Sequence, residues 1–304
     1  MKNKLLYLKI VFGLFIVFYI SNKIGFSNIT KTMLGINLLY IPLMIIILFV
    51  ALLLNAFNVK LFLDSQNYNV DFWKYFRHYL ASSSIGMFLP GKIGDFSLYY
   101  LIKEDSDVKT GHSLSAIFLD KIITLAVVSL ISFLGVLILF SEFLEKYLLI
   151  IGTILLLFIM AFIVIMTQKR ILSFLLGKHF VHLNDAMQFF SYVLKEKKFL
   201  IFLNFLVTVL KSFVIALLYY AAFLAFDYKI SLMSLFFISS ITTLISQIPL
   251  SFSGLGIREG AAVFFLNKIS VPNIISFNSY IVVTIVVYFV SIINLVLYKN
   301  KKLS

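Results

Sequence analysis

Two apolar segments of this chain are interrupted in the same way: ASSSIGMFLPGKIGDFS at residues 81–97 and SSITTLISQIPLSFSGLGIREG at residues 239–260. In a membrane protein, a matched pair of interrupted segments points to a transport site, because broken helices bring backbone dipoles and polar groups to mid-depth. The residues that we expect to form the structural breaks are Pro90, Gly91 and Gly94 in the first segment and Pro249, Gly254 and Gly256 in the second.

The composition is that of a membrane protein. The chain is 62% hydrophobic and only 13% charged, which lies far outside the range of soluble domains. Long apolar runs recur along it, so we predict an all-α polytopic fold. Cysteine is absent, which excludes disulfides, iron–sulfur clusters and thiolate metal sites. The net charge of +13 comes from basic residues at the ends of apolar runs, so we expect no nucleic-acid partner.

About six full transmembrane helices and two re-entrant hairpins account for the apolar runs. The predicted crossings are 5–20, 38–58, 116–140, 147–167, 199–226 and 274–298. We expect the first of these to be a retained helix and not a signal peptide, because no small-residue cleavage site follows it. The run at 79–89 reaches only about 16 Å, against a hydrocarbon core of about 30 Å. With a second short helix at 95–103, it predicts the first hairpin. The run at 232–250 is long enough to span the membrane. A full crossing there would place the basic C-terminus on the outer side, so we assign this run to the second hairpin.

The basic residues favour this topology. Seventeen of the 26 Lys and Arg residues fall on the side that we assign to the cytoplasm, six fall on the other side, and three lie within spans. Both termini are then cytoplasmic, in a multi-pass protein of the cytoplasmic membrane. Three crossings separate the hairpins, so the hairpins enter from opposite faces. Residues 1–304 therefore form one domain that contains an inverted repeat, approximately 38–140 and 199–298.

Charged residues at the two breaks are candidates for binding. Arg258 lies in the first turn of the helix that Gly254 and Gly256 open, where the helix dipole disfavours a cation. This position indicates a bound anion or a buried partner, and a local ion pair with Glu259 is the simpler alternative. Asp95 follows Gly94 at the start of a short helix, where a carboxylate either caps the helix or serves the site.

Three more charges lie within predicted spans. Asp120 and Lys121 fall in the first turns of the 116–140 span, and Lys211 lies in the middle of the 199–226 span. Each charge at bilayer depth costs about 2.5–3.5 kcal/mol on insertion scales. With the three charges at the breaks, the cost would be roughly 15–20 kcal/mol if all six faced lipid, more than the stability of a typical fold. We therefore expect them to be paired or to line a wet cavity.

Three motifs resemble a known family. LPGKIGD at residues 89–95, LDK at 119–121 and SGLGIREG at 253–260 are similar to the flippase-type transmembrane domain of lysylphosphatidylglycerol synthases, which also occurs alone. The resemblance covers essentially the whole chain. It implies two re-entrant hairpins related by an inverted repeat and the movement of phospholipid between leaflets. Lys121 stands where that family's pattern has Arg, so an Asp–Arg pair is only approximated.

These observations lead to one main expectation about function. We expect translocation of phospholipid or another anionic lipid, with the headgroup phosphate at Arg258 and Lys211. Asp95, Asp120 and Glu259 would set protonation, select cationic headgroups or lock the gate. The 304 residues contain no soluble aminoacyl-transferase or glycosyltransferase domain, so we expect no enzyme activity, cofactor or metal.

Two alternatives stay open. The first is a membrane scaffold or accessory subunit for a separately encoded lipid- or glycan-modifying enzyme. The second is an intramembrane transferase, for which the sequence offers neither a metal site nor a nucleophile. Beyond membrane phospholipid, the expected partners are a second copy of the chain or such an enzyme.

Overall fold

The fold is built from helices throughout the described part of the chain. The computed structural model describes residues 2–66, 68, 70–88, 97–103, 110–141, 188–189, 192–193, 195–248 and 251–303, and these contain no strand. The α-helices are α1 (Lys2–Ile24), α2 (Phe26–Leu34), α3 (Tyr40–Asp64), α4 (Phe72–Met87), α5 (Leu98–Lys103), α6 (Thr110–Leu139), α7 (Lys198–Leu224), α8 (Leu232–Ser246), α9 (Ile257–Lys268) and α10 (Asn273–Leu303). The predicted all-α class is confirmed.

Four of these helices, α3, α6, α7 and α10, are long and apolar enough to cross a membrane. The apolar part of α1 and the whole of α2 meet that test together, with a bend of 89° between them at Gly25. The first predicted crossing is therefore part of a bent pair. The predicted crossing at 147–167 lies outside the described residues, so the total of six stays a prediction.

Among the described residues, many large apolar side chains face outward, and a set of polar side chains is buried beside the apolar core. On α7, Leu210 is 50% exposed, whereas the neighbouring Lys211 is 4% exposed. On α10, Ile285 and Phe289 are more than half exposed, whereas Asn278 is fully buried. This distribution fits a protein whose solvent is hydrocarbon, because polar groups at that depth have to find partners inside the bundle.

The first hairpin helix is longer than predicted. It begins at Phe72 and not at residue 79, because Asp71 caps it by accepting a hydrogen bond from the Lys74 backbone N–H at 2.9 Å. Its 16 residues reach about 24 Å, still short of a full crossing. Ser97 beside α5 donates to the Ser82 hydroxyl of α4 at 3.2 Å, which joins the two arms. The predicted breaks Pro90, Gly91 and Gly94, together with Asp95, lie outside the described residues.

The second interruption does stop the helix. The 15-residue helix α8 ends at Ser246 and reaches about 22 Å, although the apolar run continues to residue 250. A short 3₁₀ turn follows at Phe252–Gly254, and α9 then packs back against α8. Ser253 and the two following glycines, Gly254 and Gly256, have positive φ values of 49°, 80° and 79°. Backbone with these φ values turns the chain back at the position where the sequence predicts a break. Pro249 lies outside the described residues.

The two halves of the chain contact each other reciprocally. Helix α3 packs on α7, the last helix of the first half (α6) packs on the hairpin helix α8, and α10 packs on the hairpin helix α4. Ser253, in the second break, donates to the carbonyl oxygen of Met87 at the end of α4, at 2.8 Å. Each half therefore contacts the hairpin helix of the other half. The inverted orientation itself stays a prediction.

Helix α1 crosses the second break at a very short distance. A Cβ atom on Gly256 would collide with the carbonyl oxygen of Gly13, and one on Gly13 would lie 2.9 Å from the carbonyl oxygen of Leu255. Gly256 also has a φ of +79°, a backbone conformation that other residues adopt only with strain. Two glycines therefore allow the backbone of α1 to lie directly on the turn that starts α9.

We predict that Gly256→Ala destabilises the protein strongly, because strain and overpacking of about 1–3 kcal/mol each act at the same site. The measurement is the Tm in detergent, where we expect a clear decrease. Gly35→Ala is the matched control, since a Cβ there meets no atom closer than 3.6 Å and φ is −84°. Equal Tm values for the two variants would contradict the close crossing of α1.

Candidate functional site

A polar cavity lies between helices α3, α6, α7 and α8. Its volume is about 290 Å³. Its charged lining residues are Asp120, Lys121 and Lys211, and its neutral polar ones are Asn55, Thr124, Ser212, Ser239, Ser240, Thr243 and Gln247. A cavity with this lining in the interior of a membrane bundle provides a polar environment that the surrounding hydrocarbon does not.

Lys211 lies at the centre of this arrangement. It is the middle residue of the 27-residue helix α7, about 20 Å from either helix end. Its ammonium donates to the Thr124 hydroxyl at 3.3 Å, and Thr124 is itself halfway along the 30-residue helix α6. A lysine at this depth is too far from either membrane surface for its side chain to reach water along lipid. The prediction that Lys211 faces the protein interior at mid-span agrees with the structure.

Asp120 and Lys121 lie further from the start of their helix than the sequence suggested. We expected them in the first turns of a span that begins at residue 116, but α6 begins at Thr110. The six additional residues place them about 9 Å further along the helix. Asp120 is 3% exposed, and both residues line the cavity. Hence three of the predicted site residues, Asp120, Lys121 and Lys211, are brought together.

The Asp120 carboxylate is held by a buried network of amides. Asn204 donates to Asp120 Oδ1 at 3.1 Å and to the backbone oxygen of Asn58 at 3.3 Å. Asn58 in turn donates to the Thr208 hydroxyl at 2.9 Å. Asn58, Asn204 and Thr208 are fully buried. The network joins α3 and α6 to α7 and holds the carboxylate of a residue that lines the same cavity as Lys211.

This network was not predicted, although the spacing of polar residues on α7 indicates part of it. Asn204, Thr208, Lys211 and Ser212 follow one another at spacings of four, three and one residues, which places them on one face of α7. A polar stripe on an otherwise apolar span marks the face that turns away from lipid. The partners on α3 and α6 required three-dimensional information.

Arg258 and Glu259 belong to a second network, on α9 and α10. The Arg258 guanidinium lies 3.1 Å from Glu259 Oε1 and donates to the Thr284 hydroxyl at 2.6 Å. The Thr284 hydroxyl has one proton, which lies between Glu259 Oε1 at 2.8 Å and the Tyr280 carbonyl oxygen at 2.9 Å. Of the two interpretations of Arg258, a bound anion or a carboxylate partner, the structure contains the partner.

Glu259 also stabilises the second break directly. Its Oε2 accepts a hydrogen bond from the Gly256 backbone N–H at 2.7 Å, and the residue is fully buried. Glu259 is the third residue of α9, the position from which a glutamate reaches back to the residue that precedes the helix. One carboxylate thus joins the backbone of the break, Arg258 and α10. Arg258 and Glu259 are not among the residues that line the cavity, and Asp95 lies outside the described residues.

The described residues contain no group of three or more His, Cys, Asp or Glu side chains placed to hold a metal ion. The chemistry available to the cavity in this part of the chain is therefore that of ammonium groups, one carboxylate, hydroxyls and amides. Such groups bind and orient a polar ligand.

Helices long and apolar enough to cross a membrane, packed around a cavity with charged lining residues, define an integral membrane protein. The family model described as "Lysylphosphatidylglycerol synthase TM region" matches residues 6–293. The chain therefore belongs to this family, as the motifs at the two breaks suggested. A comparison with curated proteins found no match.

Removing one charged partner of the Arg258–Glu259 pair should destabilise the protein more than removing both partners. We predict that Glu259→Gln lowers Tm strongly, because it leaves the buried Arg258 cation without its carboxylate, and that adding Arg258→Met recovers part of the loss. The expected cost of the single change is about 3–5 kcal/mol. The measurement is a double-mutant cycle of Tm values in detergent. Additive losses in the double variant would show that the two side chains are not coupled.

Proposed function

We propose that this protein moves phospholipid or another anionic lipid between the leaflets of the cytoplasmic membrane. Membership of the lysylphosphatidylglycerol synthase transmembrane family supports a role in lipid handling. The observation on which the proposal depends most is Lys211, an ammonium at the middle of a membrane-spanning helix that lines a polar cavity.

The physical argument concerns the barrier to lipid exchange. A headgroup that crosses the bilayer unaided brings its phosphate charge into hydrocarbon, which is costly for the same reason that a charged side chain is. A cavity at mid-depth that supplies ammonium groups and polar side chains replaces the lost hydration at this point. Lys211 and Lys121 would interact with the phosphate while the acyl chains stay in the surrounding lipid.

The two breaks would supply the moving parts. In transporters built from repeats, alternating access arises when one half rocks against the other around a fixed mid-depth site. Ser253 and Met87 join the break in one half to the hairpin helix of the other, so a movement at either break reaches its counterpart. In this proposal Arg258 and Glu259 hold the second break in shape and control its opening.

One sequence observation bears on the energy source. The chain contains no G-x-x-x-x-G-K-[ST] motif for nucleotide phosphate binding. We therefore propose that movement is downhill or is coupled to protons or to the membrane potential. Both termini would face the cytoplasm, as the distribution of Lys and Arg predicts.

The test uses purified protein in liposomes that contain fluorescent phosphatidylglycerol and a membrane-impermeant quencher added outside. Wild-type protein should expose the inner-leaflet lipid to the quencher. Lys211→Met should slow this exposure about tenfold or more, because a hydrogen-bonded ionic contact contributes about 1.5–3 kcal/mol. The initial rate of fluorescence loss is the measurement.

Lys229→Met is the matched control, because Lys229 is an exposed residue in the connection between α7 and α8. It should transport at the wild-type rate. A wild-type rate for Lys211→Met would contradict the assignment of the cavity. Rates no higher than in empty liposomes for wild-type protein would contradict autonomous transport and favour the accessory-subunit alternative.

A further inference from the structure

Two asparagines in the network around Asp120 have side-chain oxygens that no donor reaches. Asn58 and Asn204 are fully buried, and the Oδ1 atom of each has no hydrogen-bond partner among the described residues. The Asn58 amide nitrogen donates to the Thr208 hydroxyl at 2.9 Å, and the Asn58 backbone oxygen accepts from Asn204 at 3.3 Å. The two carboxamides therefore meet at one point between α3 and α7. A buried oxygen without a donor is destabilising, so an unpartnered pair indicates a ligand.

The contacts of Asn204 fix which way its carboxamide points. Its Nδ2 lies 3.1 Å from Asp120 Oδ1 and 3.3 Å from the Asn58 backbone oxygen. An ionised carboxylate and a carbonyl oxygen can only accept, so the nitrogen has to face them. The oxygen and the nitrogen of a carboxamide are close neighbours. The unpartnered Oδ1 of Asn204 therefore lies beside the donor that contacts the carboxylate.

The Asp120 carboxylate has no cation against it. The residue is 3% exposed, and the hydrogen bond that it accepts from Asn204 comes from a neutral amide. Among the described residues, no Lys or Arg nitrogen lies within 4.0 Å of its oxygens. A carboxylate that is buried and unpaired is strongly destabilised.

The two lysines of the cavity have other contacts. Lys211 donates to Thr124, which lies one turn along α6 from Asp120, and it is seven residues, about 10 Å, along α7 from Asn204. Lys121 and Lys211 both take part in further interactions of their own. Their charges weaken the attraction of Asp120 for another cation, so we expect binding in the millimolar range.

A ligand that satisfies all three groups has to be positively charged. A water molecule can donate to the two amide oxygens, but it does not neutralise the carboxylate. A metal cation does both, because carboxylate and amide oxygens are the ligands that hard cations prefer. Only one carboxylate belongs to the set, so a monovalent ion balances its charge. A divalent ion would leave an excess positive charge in a buried place.

We propose that Asp120, Asn58 and Asn204 form a binding site for an alkali-metal cation, for which Na⁺ is the probe, at the junction of α3, α6 and α7. The carboxylate supplies the negative charge, and the Oδ1 atoms of the two asparagines supply neutral ligands. The cation joins three helices that are distant in sequence. Occupancy of the site therefore stabilises the fold, whether or not the protein moves lipid.

The position of the site has a consequence for transport. Asp120 also lines the cavity between α3, α6, α7 and α8, so a cation at Asp120 lies next to the proposed path of the headgroup. In secondary transporters the site of the coupling ion lies beside that of the substrate near mid-depth. Na⁺ is then a coupling ion for translocation. This consequence, unlike the site itself, rests on the proposed function.

The test of the site is the Tm of the purified full-length protein in detergent. NaCl replaces N-methyl-D-glucamine chloride step by step at constant ionic strength, because this large organic cation does not fit among buried side chains. Wild-type Tm should rise with the logarithm of the Na⁺ concentration. The expected rise is about 3 °C or more where Na⁺ exceeds its dissociation constant tenfold.

Asp120→Asn should remove the Na⁺ dependence. Without Na⁺ it should be at least as stable as wild type, because its amide oxygen still accepts from Asn204 and no charge is left unpaired. Asp64→Asn is the matched control, since Asp64 is an aspartate with a 46% exposed side chain that pairs with Lys60 away from the cavity. It should keep the wild-type dependence.

The wild-type titration decides by itself whether a cation binds, so the result does not require the variant to fold. Equal wild-type Tm values in NaCl and N-methyl-D-glucamine chloride would overturn the site and leave a proton or a water molecule at Asp120. A Na⁺ dependence that persists in Asp120→Asn, or that Asp64→Asn also removes, would overturn the assignment to these residues.

The liposome assay with fluorescent phosphatidylglycerol tests the coupling separately. Wild-type protein should lose most of its rate when N-methyl-D-glucamine replaces Na⁺ on both sides. Equal rates in the two buffers, with the Na⁺ dependence of Tm intact, would overturn the coupling and leave the cation site standing. Absence of lipid movement in both buffers would overturn the proposed translocation, and the Tm titration would still decide the site.

Discussion

A charge or polar group at bilayer depth needs a partner within the protein, because hydrocarbon cannot hydrogen-bond to it. The rest of this structure depends on that constraint. Lys211 is the clearest case, because it lies at the middle of α7 and is 4% exposed, while the adjacent Leu210 faces outward. The ammonium is placed against Thr124 and the cavity. The packing of α3, α6, α7 and α8 around this point follows from the same condition.

A second consequence concerns the interrupted helices. A break exposes backbone groups that lipid cannot satisfy. At the second break, Glu259 accepts from the Gly256 N–H, Ser253 bonds to Met87 of the opposite half, and α1 covers the turn at Gly13. The break is thus stabilised by protein on several sides.

Much of this arrangement could be predicted from residue types and spacing. The four clear spans and the end of α8 follow from apolar run length and from the cluster of Pro and Gly. The inward orientation of Lys211 follows from the cost of exposing a charge to lipid. The motifs at the breaks identified the family that the match over residues 6–293 shows.

Other features depend on contacts that are distant in sequence. The asparagine network joins Asn58 to Asn204 and Thr208, about 150 residues away, and no local pattern specifies that pairing. The start of α4 was misplaced because the prediction followed only the apolar run at 79–89, whereas the Asp71 cap begins the helix at Phe72. The contact of α1 with the second break depends on Gly13, which local sequence does not distinguish from an ordinary small residue.

The proposed function requires that water and lipid headgroups reach the cavity between α3, α6, α7 and α8. The chain contains no cysteine, so single cysteines can be introduced directly at Ser212, which lines the cavity, and at Leu210, which is 50% exposed on the outer surface of the same helix. The two positions differ little in depth.

The measurement is the rate of labelling of each cysteine by a charged, membrane-impermeant thiol reagent, with and without phosphatidylglycerol in the membrane. The account predicts that Ser212→Cys reacts and is slowed by the lipid, whereas Leu210→Cys, surrounded by hydrocarbon, does not react. Equal reactivity at both positions, or none at Ser212→Cys, would contradict it.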